Sequence, residues 1–482
     1  MNVNLLTRAF TLFTAFGLTA CVTVGPTYRQ PELIVPAGWN RLEQSADADA
    51  KAVATGDLSR WWVALNDRLL SELVEEALSA SPDLRSAKAR LRQARAAGSI
   101  ASAGRYPTVT ASGSASRVAS SQEAGSGASV NMFSAGLDAT WEADLFGGVR
   151  RGIEAADADL ASTEADLQGT RVSLVAEVAL NYVEARTLQI RLGIARDNLA
   201  SQTETLQLTK WRAQAGLVST LDVEQARSNV EQTRAQLPAL ADSLSRAEHS
   251  LDILLGKAPG TLHARLSTEG ALPSVPGEIA VGIPADTLRQ RPDVRSAERK
   301  LAAETARVGV AEAARYPSFT ISGSIGLEAL TLGAIGRSGA ATSSLLGGIT
   351  APVFNAGRLK SQVEQQDAVR EQAEASYEKS VLNALKEVED GLVSLALSRE
   401  RGEALETAVR SARNAAELAR QRYSAGLTDF QVVLDTERSV LLVEDSLAST
   451  RADTVLSVIR LYKALGGGWT PQKESIAQKE QL

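Results

Sequence analysis

A stretch of 33 residues recurs in this chain without a gap. Residues 81–113 align with residues 291–323, and 15 of the 33 positions are identical. The shared positions include a Pro-Asp-x-Arg-Ser-Ala segment that begins at Pro82 and again at Pro292, and an Arg-Tyr-Pro segment near the end of each copy. A repeat of this length predicts a fold made of two similar halves, each with the same succession of elements.

Each copy of the repeat changes from a helical to a strand-like pattern. Pro82 suits the first turn of a helix, with Ser81 as its N-cap, and the helical pattern runs to Arg105 before Tyr106-Pro107 ends it. Beyond that point apolar residues alternate with Ser and Thr, which predicts a strand with one apolar and one hydroxyl-lined face.

A second alternating run follows a loop rich in Gly and Ser in each half. The sequence therefore predicts two β-hairpins, at about 107–145 and about 317–354. In the second hairpin, Leu345, Gly347, Ile349, Ala351 and Val353 are expected to share the apolar face. Strands of roughly ten residues have the length that crosses a bilayer when tilted.

Long helices are predicted after both hairpins, at about 149–214 and about 358–424. Their apolar residues recur at heptad spacing, which is typical of coiled-coil seams. Each helix ends at a Gly-Leu turn and is followed by a returning helix. At ~1.5 Å per residue, one long helix matches the summed length of the repeat helix and the returning helix, so these two are expected to stack end to end.

Composition and charge exclude several classes of function. The net charge is −6 and the chain has no block of Lys and Arg, which argues against a nucleic-acid partner. The two histidines, His249 and His263, lie neither at metal-ligand spacing nor near a carboxylate motif. Since no catalytic or phosphate-binding motif occurs, we expect no enzyme activity, no metal and no cofactor.

The N-terminus has the features of an export signal. Residues 1–20 contain a short basic region and an apolar run, followed by Cys21. The Leu-x-Ala-Cys string resembles a bacterial lipoprotein box, in which the cysteine becomes the first residue and its thiol carries a lipid; the alternative is an incidental cysteine behind an ordinary cleavage site. Because Cys21 is the only cysteine, a disulfide framework is excluded.

The remaining sequence offers only strands for crossing a membrane. No run of 18 or more apolar residues follows residue 21, so no transmembrane helix is expected. Four strands cannot close on themselves, and an open sheet edge cannot face lipid. Three copies are the smallest assembly whose pooled strands enclose an aqueous lumen. The sequence therefore predicts a homotrimer in contact with membrane lipid.

Several motifs together resemble the outer-membrane efflux protein family of the TolC/OprM type, including its lipidated, NodT-like members. They are the Trp61-Trp62 opening with Asp67 and Pro82-Asp83, the two Arg-Tyr-Pro segments, the Gly-Leu turns and the duplicated layout. The two tryptophans have plain packing as their favoured role and ligand stacking as the alternative.

The resemblance implies an α+β, mostly α, fold: a trimeric, twelve-stranded transmembrane β-barrel in the outer membrane, continued by a twelve-helix α-barrel through the periplasm. It implies the exit duct of a tripartite pump for drugs or other small molecules, with a periplasmic membrane-fusion adaptor and an inner-membrane transporter of the resistance-nodulation-division (RND) type. The alternatives are the outer-membrane channel of a type I protein-secretion system and a pore-less, lipid-anchored periplasmic scaffold.

The resemblance also implies roles for residues at the Gly-Leu turns. In the family, the helix-turn-helix tips meet the adaptor, which corresponds here to Gly216, Leu217, Gly426 and Leu427. The alternative is that the glycines only cap the helices; both roles are compatible.

A periplasmic gate is implied near the second turn. The family narrows the resting tunnel with an aspartate one turn after an apolar residue, and Asp435 matches the aspartate while Gln431 occupies the apolar position. For Asp429 the favoured role is the N-cap of the returning helix, and the alternative is a second acidic ring. Three equivalent carboxylates at one level would favour cations. The alternative for Asp435 is a solvated residue or an ion pair with Arg438.

The resulting organisation has six segments: signal peptide 1–20, lipidated arm 21–65, first repeat 66–256, linker 257–290, second repeat 291–466 and C-terminal tail 467–482.

Overall fold

A computed structural model describes residues 23–32, 35–40, 50–51, 58–123, 127–268, 270–277, 279–280 and 284–469. Its α-helices are α1 (Arg68–Ala80), α2 (Pro82–Ala103), α3 (Gly148–Gln214), α4 (Thr220–Leu254), α5 (His263–Leu266), α6 (Pro284–Gln290), α7 (Pro292–Ala313), α8 (Arg358–Ser424) and α9 (Phe430–Ala464). Its strands are β1 (Ala50–Lys51), β2 (Thr108–Ala119), β3 (Ser129–Ala143), β4 (Ile279–Ala280), β5 (Ser318–Ala329) and β6 (Ala341–Thr350).

The duplication extends far beyond the 33-residue repeat. Helix α2 begins at Pro82 and α7 at Pro292, 210 positions later. The same offset relates both ends of β2 to those of β5, of α3 to those of α8, and of α4 to those of α9. The two halves therefore align without a gap through strand, long helix and returning helix. This arrangement confirms the predicted internal duplication.

The chain divides into two compact units. The sheet unit comprises the described residues up to Glu32 together with 90–164 and 296–378. The helical unit comprises the described parts of 33–89, 165–295 and 379–482.

The sheet unit contains one four-stranded antiparallel sheet in the order β2-β3-β5-β6. Strands β2 and β3 form the hairpin of the first half, and β5 and β6 form that of the second. The β3–β5 pairing joins the halves, with Asp138 opposite Ser324 and Thr140 opposite Ser322. Both edges of the sheet, β2 and β6, lack a further strand within the described part of the chain.

The two faces of the sheet differ as the alternation predicts. On one face, the Ser114 and Ser134 hydroxyls lie 2.8 Å apart. The equivalent pair in the second half, Ser324 and Ser344, is separated by the same 2.8 Å. The opposite face carries apolar side chains that stay exposed in the single chain: Val109, Leu137, Ile321, Ile325, Leu327, Leu345 and Ile349.

Strand β6 is shorter than predicted. Ala351 and Val353 were expected to continue the apolar face, but the strand ends at Thr350. Pro352 follows, and it has no N–H group with which to extend the ladder.

The described part of the N-terminal arm is extended, as its prolines suggest, and its Val24 N–H donates to the Phe146 carbonyl at 3.1 Å.

The helical unit has a core built around Trp61 and Trp62, which are 3% and 1% exposed. The Trp61 ring stacks on Tyr462, with ring centroids 5.3 Å apart. These contacts bear out the packing role over ligand stacking. Asp67 N-caps α1 through the Leu70 N–H at 2.9 Å, and its second carboxylate oxygen accepts the Tyr182 hydroxyl at 2.8 Å.

The end of each returning helix lies against the start of a repeat helix. A Cβ atom placed on Gly256 would lie 3.3 Å from Pro82 Cδ, and one on Gly466 would lie 3.4 Å from Arg291 Cα. The short helices of each half thus meet end to end, as their summed lengths predict.

Different residues occupy equivalent positions where the returning helix and the repeat helix meet in each half. Arg291 donates to the Ala464 carbonyl at 2.8 Å and pairs with Asp293 and Glu387. Ser81 occupies the corresponding place, but its buried hydroxyl has no hydrogen-bond partner among the described residues, so the predicted side-chain N-cap is wrong. The Ser81 N–H donates to the Ala77 carbonyl of α1, and the Ser81 carbonyl accepts from the Arg85 N–H of α2, so the backbone of Ser81 is hydrogen-bonded to both helices. The Ser81 side chain is buried.

None of the helices in the described ranges combines the length and the apolar character needed to cross a membrane.

Candidate functional site at the helix-turn-helix tips

Both Gly-Leu turns have the same backbone geometry. Gly216 and Gly426 have φ angles of 72° and 75°, the left-handed region that glycine adopts without a Cβ clash. The Leu217 N–H then donates to Arg212 O at 2.9 Å, and the Leu427 N–H donates to Arg422 O at 2.8 Å. This pattern closes the C-terminus of each long helix. It leaves Leu217 and Leu427 at the apex, 67% and 70% exposed.

The N-cap residues of the two returning helices differ in whether their side chains make a capping hydrogen bond. Ser219 forms a capping box with Asp222, in which each side chain accepts from the other's backbone N–H. Asp429 occupies the same N-cap position, but its carboxylate makes no capping hydrogen bond. The expected side-chain cap by Asp429 is therefore wrong. Val432 occupies the position that Asp222 has in the first half. Its side chain has no oxygen to accept a hydrogen bond from the Asp429 N–H, so a capping box cannot form here.

Two of the three gate candidates, Gln431 and Asp435, lie one turn apart on the exposed face of α9. The Gln431 side-chain amide donates to Asp435 Oδ1 at 2.9 Å. Arg438 instead donates from Nε to Asn229 Oδ1 at 3.1 Å, and no ion pair joins it to Asp435 among the described side chains. Asp435 is thus an exposed carboxylate held by a neutral amide rather than neutralised by an arginine.

A small hydrophobic cluster holds the tips together. It contains Leu206, Ala226, Val230, Ala419, Tyr423, Phe430, Val433 and Leu434. The Tyr423 and Phe430 rings meet edge to face, 5.7 Å apart. The Arg212 guanidinium lies over the Tyr423 ring, 4.4 Å from its centroid, and also donates to the Tyr423 carbonyl. These contacts tie the end of α3 to the end of α8.

Glu437 is a buried carboxylate inside this region. It is 4% exposed and accepts the Thr205 hydroxyl at 2.6 Å. Burial raises its pKa above the usual Glu range, while the Thr205 hydrogen bond and the charge of Arg420 oppose the rise. Asp435 and Glu437 are two positions apart, so they point to opposite sides of α9.

Sequence reasoning missed Glu437, although a signal existed. Phe430, Val433, Leu434 and Glu437 follow the i, i+3, i+4, i+7 spacing of one buried helix face. A charged residue at the last of these positions indicates a buried carboxylate.

His263 contacts a carboxylate that the sequence did not point to. Its Nδ1 atom lies 2.8 Å from Glu248 Oε2, and the two residues are 15 positions apart in the chain. The α4–α5 connection folds back and brings them together. The hydrogen bond to Glu248 raises the pKa of the exposed His263 imidazole. In the described ranges, no three His, Cys, Asp or Glu side chains are grouped as metal ligands would be.

Cys21, the candidate lipidation residue, lies outside the described residues.

Comparison with known proteins agrees with this geometry. The model of the family described as outer membrane efflux protein matches residues 73–257 and 283–467, which are again 210 positions apart. The chain is 33% identical to nodulation protein T of Rhizobium leguminosarum bv. trifolii, over 96% of this chain and 98% of that protein.

It is also 31% identical to the toluene efflux pump outer membrane protein TtgF of Pseudomonas putida, over 96% of this chain and 97% of that protein. A solved structure of the outer-membrane channel OprN is similar with a TM-score of 0.87 and 37% identity, over 93% of this chain and all of that one. The chain belongs to the outer membrane efflux protein family.

Proposed function

We propose that three copies of this chain form the exit duct of a tripartite efflux pump in the outer membrane of a Gram-negative cell. Each copy contributes its four-stranded sheet to one closed membrane-spanning sheet and its long helices to a periplasmic tunnel. A lipid on Cys21 anchors the N-terminus, and drugs or other small molecules leave through the lumen.

The observation that carries this proposal is the sheet with two open edges and two unlike faces. Unpaired backbone groups cannot face lipid, so β2 and β6 need partner strands. An apolar face suits contact with lipid, and the serine pairs at 2.8 Å suit a wet interior. A periplasmic scaffold without a pore has no use for this sheet.

The exposed apolar side chains at the tips and the names of the relatives support the proposed partners and cargo. Leu217 and Leu427 are exposed at the apex, and Trp211 is 60% exposed one turn before the first apex. Apolar side chains on hairpin ends suit docking of a periplasmic adaptor, which in turn engages an inner-membrane transporter of the RND type. The name of TtgF, a toluene efflux pump protein, supports small organic cargo over the secreted polypeptide of a type I system.

The gate consists of Asp435 from each copy, supported by Gln431, with Asp429 nearer the periplasmic end. An uncapped Asp429 is available as a second acidic ring, since its carboxylate is not engaged by the helix N-terminus. Rings of carboxylates favour cations over anions.

Purified protein tests the proposed function directly. Light scattering in detergent is expected to give the mass of three chains, and planar bilayers are expected to show stepwise ion conductance. A stable monomer without conductance would contradict the proposed duct and favour the pore-less scaffold. Export of a polypeptide by a type I system, with no export of organic solutes, would instead favour a channel of type I protein secretion.

The substitution Asp435→Asn is expected to lower the cation-to-anion permeability ratio by about five-fold, because a unit charge at ~4 Å is worth ~1 kcal/mol even in water. Asp453→Asn is the matched control: it removes an exposed carboxylate 18 residues further along α9, on the same face of the helix. Reversal potentials of single channels in a salt gradient measure the ratio. An unchanged ratio in Asp435→Asn takes this residue out of the gate.

Replacing Cys21 by Ser is expected to abolish lipid attachment, since a hydroxyl does not substitute for the thiolate in the transfer of diacylglycerol. Incorporation of labelled palmitate into the immunoprecipitated protein measures the attachment. Continued labelling of Cys21→Ser would show that the lipoprotein-box interpretation is wrong.

Glu437→Gln is expected to stabilise the tips near neutral pH. A carboxyl whose pKa is raised by folding is most favourable when protonated, so its contribution is present below the usual Glu pKa and is lost as the pH rises through the folded pKa. Glutamine keeps an acceptor for Thr205 and removes the charge.

Amide hydrogen exchange across residues 430–437 measures this effect at acid and neutral pH. Exchange in Glu437→Gln should be slower at neutral pH and equal to that of the parent at acid pH. Glu417→Gln, at an exposed position of α8, is the control and should leave both values unchanged. Equal exchange in Glu437→Gln and the parent at neutral pH would contradict an ionised, buried Glu437.

A further inference from the structure

The N-terminal arm contacts both halves of the sheet unit. Its Val24 N–H donates to the carbonyl of Phe146, which lies two positions before α3 in the first half. Its Tyr28 hydroxyl donates to Glu298 Oε1 of α7, in the second half, at 3.1 Å. Residues 23–28 therefore bridge the beginning of α3 and the helix α7.

A buried arginine of α3 binds this segment mainly through its backbone. Arg151 is 5% exposed, and its guanidinium donates to the carbonyls of Val24 and Gly25, each at 3.2 Å. It also donates to the Thr27 hydroxyl at 3.3 Å, and Glu154 pairs with the remaining nitrogen at 2.7 Å. Because two of the three acceptors on the arm are carbonyls, these contacts depend little on the side chains of the arm.

Glycines let the arm approach its binding surface closely. Gly25 has a φ of 85°, and a Cβ atom at this position would clash with Gly309 Cα of α7. Gly147 also has a φ of 85°, and a Cβ atom on it would lie 2.6 Å from Thr23 Cγ2. A side chain at any of these three glycines would push the arm away from the helices.

The internal duplication shows that this surface occurs once in the chain. We call Gly147, Arg151 and Gly309 the arm site. The positions 210 residues away from them are occupied, in the same order, by Gly357, Ser361 and Ser99. A Cβ atom on Gly357 would meet no atom within 4 Å, although its φ is 84°. The turn glycine is thus shared by both halves, whereas the arginine and the helix glycine occur only where the arm lies.

We propose that the arm site is a binding site for an extended peptide, that its ligand is residues 23–28 of the same chain, and that it fixes where the lipid on Cys21 enters the membrane. The binding of the arm stands on the contacts above. The anchoring role rests on the lipid attachment of the proposed function.

The anchor is confined by the length of chain between it and the arm site. Cys21 precedes Thr23 by two positions, and two residues span at most ~7 Å. Gly147, against which Thr23 packs, follows the end of β3 by four positions. Next to it the Phe146 ring stacks on Tyr316, with ring centroids 4.7 Å apart, and aromatic side chains suit the membrane–water interface. The arm site therefore holds the lipid at the periplasmic end of the sheet.

Trypsin measures how firmly the arm is held, because Arg29 directly follows the bound segment. Cleavage of a docked segment follows the fraction of time for which it is released. The full-length protein is treated in detergent, and mass spectrometry quantifies the chain that begins at Gln30. This readout does not require that Cys21 carries a lipid.

Gly25→Val is expected to raise the initial rate of this cleavage at least ~10-fold, because a β-branched residue disfavours a positive φ and its side chain cannot fit beside Gly309. Arg151→Ser, which introduces the residue of the second half, should change the rate in the same direction, since it removes hydrogen bonds from a charged donor.

Two matched variants serve as controls. Glu32→Val places the same side chain as Gly25→Val at an exposed position of the arm outside the bound segment. Ser361→Ala changes the second-half equivalent of Arg151. Both are expected to be cleaved at the rate of the parent. Every variant is also required to conduct ions like the parent, which excludes misfolded chains.

A photoactivatable palmitate analogue, supplied to growing cells, tests the position of the anchor. In the parent, its cross-links should concentrate on the apolar face near the periplasmic end of the sheet, at Trp141 and the opposite Ile321. In Gly25→Val this concentration should be lost, although the label remains attached at Cys21.

Equal cleavage rates in Gly25→Val, Arg151→Ser and the parent would overturn the peptide site. An increase in Ser361→Ala as large as that in Arg151→Ser would overturn it as well, because the effect would then be a general loosening. Faster cleavage of Gly25→Val with an unchanged pattern of cross-links would overturn the anchoring role.

Failure of the proposed function gives different results. An unlabelled parent would contradict the lipid on Cys21, and a monomer without conductance would contradict the duct. In either case the comparison of cleavage rates still decides whether the arm site binds the arm.

Discussion

The structure depends on the hydrogen bonding of backbone groups along the four strands. Within the sheet, the ladders of β2–β3, β3–β5 and β5–β6 satisfy these groups, but the outer edges of β2 and β6 remain open. In water an open edge is solvated, whereas in lipid each unpaired group costs several kcal/mol. In the proposed duct, strands from the other copies complete these ladders.

This constraint accounts for the absence of gaps between the two halves. Inserting one residue into a strand would exchange its polar and apolar faces beyond that point, and lengthening one hairpin alone would leave backbone groups unpaired. The long helices face a similar limit, because one long helix must match two short helices that meet at Gly256 and Pro82. Divergence between the halves has accordingly changed side chains rather than lengths, as at Ser219 and Asp429.

Much of the fold was predictable from the sequence because it is determined by local patterns. The period of the apolar residues separated strands from helices, and comparison of the halves located the bounds of α3 and α8 to within about a residue. The apolar and hydroxyl faces of the sheet also followed from alternation.

Side-chain partners were the part that the sequence did not reveal. The Ser81 and Asp429 side chains do not cap the helices that follow them, although Ser and Asp are both favourable N-cap residues. The contact of His263 with Glu248 depends on how a loop folds back. Glu437 finds Thr205 across 232 positions of sequence, and no local pattern specifies that pairing.

The polar character of the tip interior bears on how a gate here would move. Beside the small hydrophobic cluster, α3 presents Gln202, Thr205 and Thr209 to the interior, all 5% exposed or less. The Gln202 amide has no hydrogen-bond partner among the described residues, and the buried carboxyl group of Glu437 lies in the same region.

A buried polar layer that is only partly satisfied holds helices together less strongly than an apolar layer of the same size. Segments that move are drawn from the less stable parts of a structure. In the core around Trp62, by contrast, apolar side chains such as Leu70, Val178 and Ile459 are fully or almost fully buried. Within the helical unit the tips therefore offer less apolar resistance to separation than the core around Trp62, and the exposed Asp435 lies on the helix that a separation would shift.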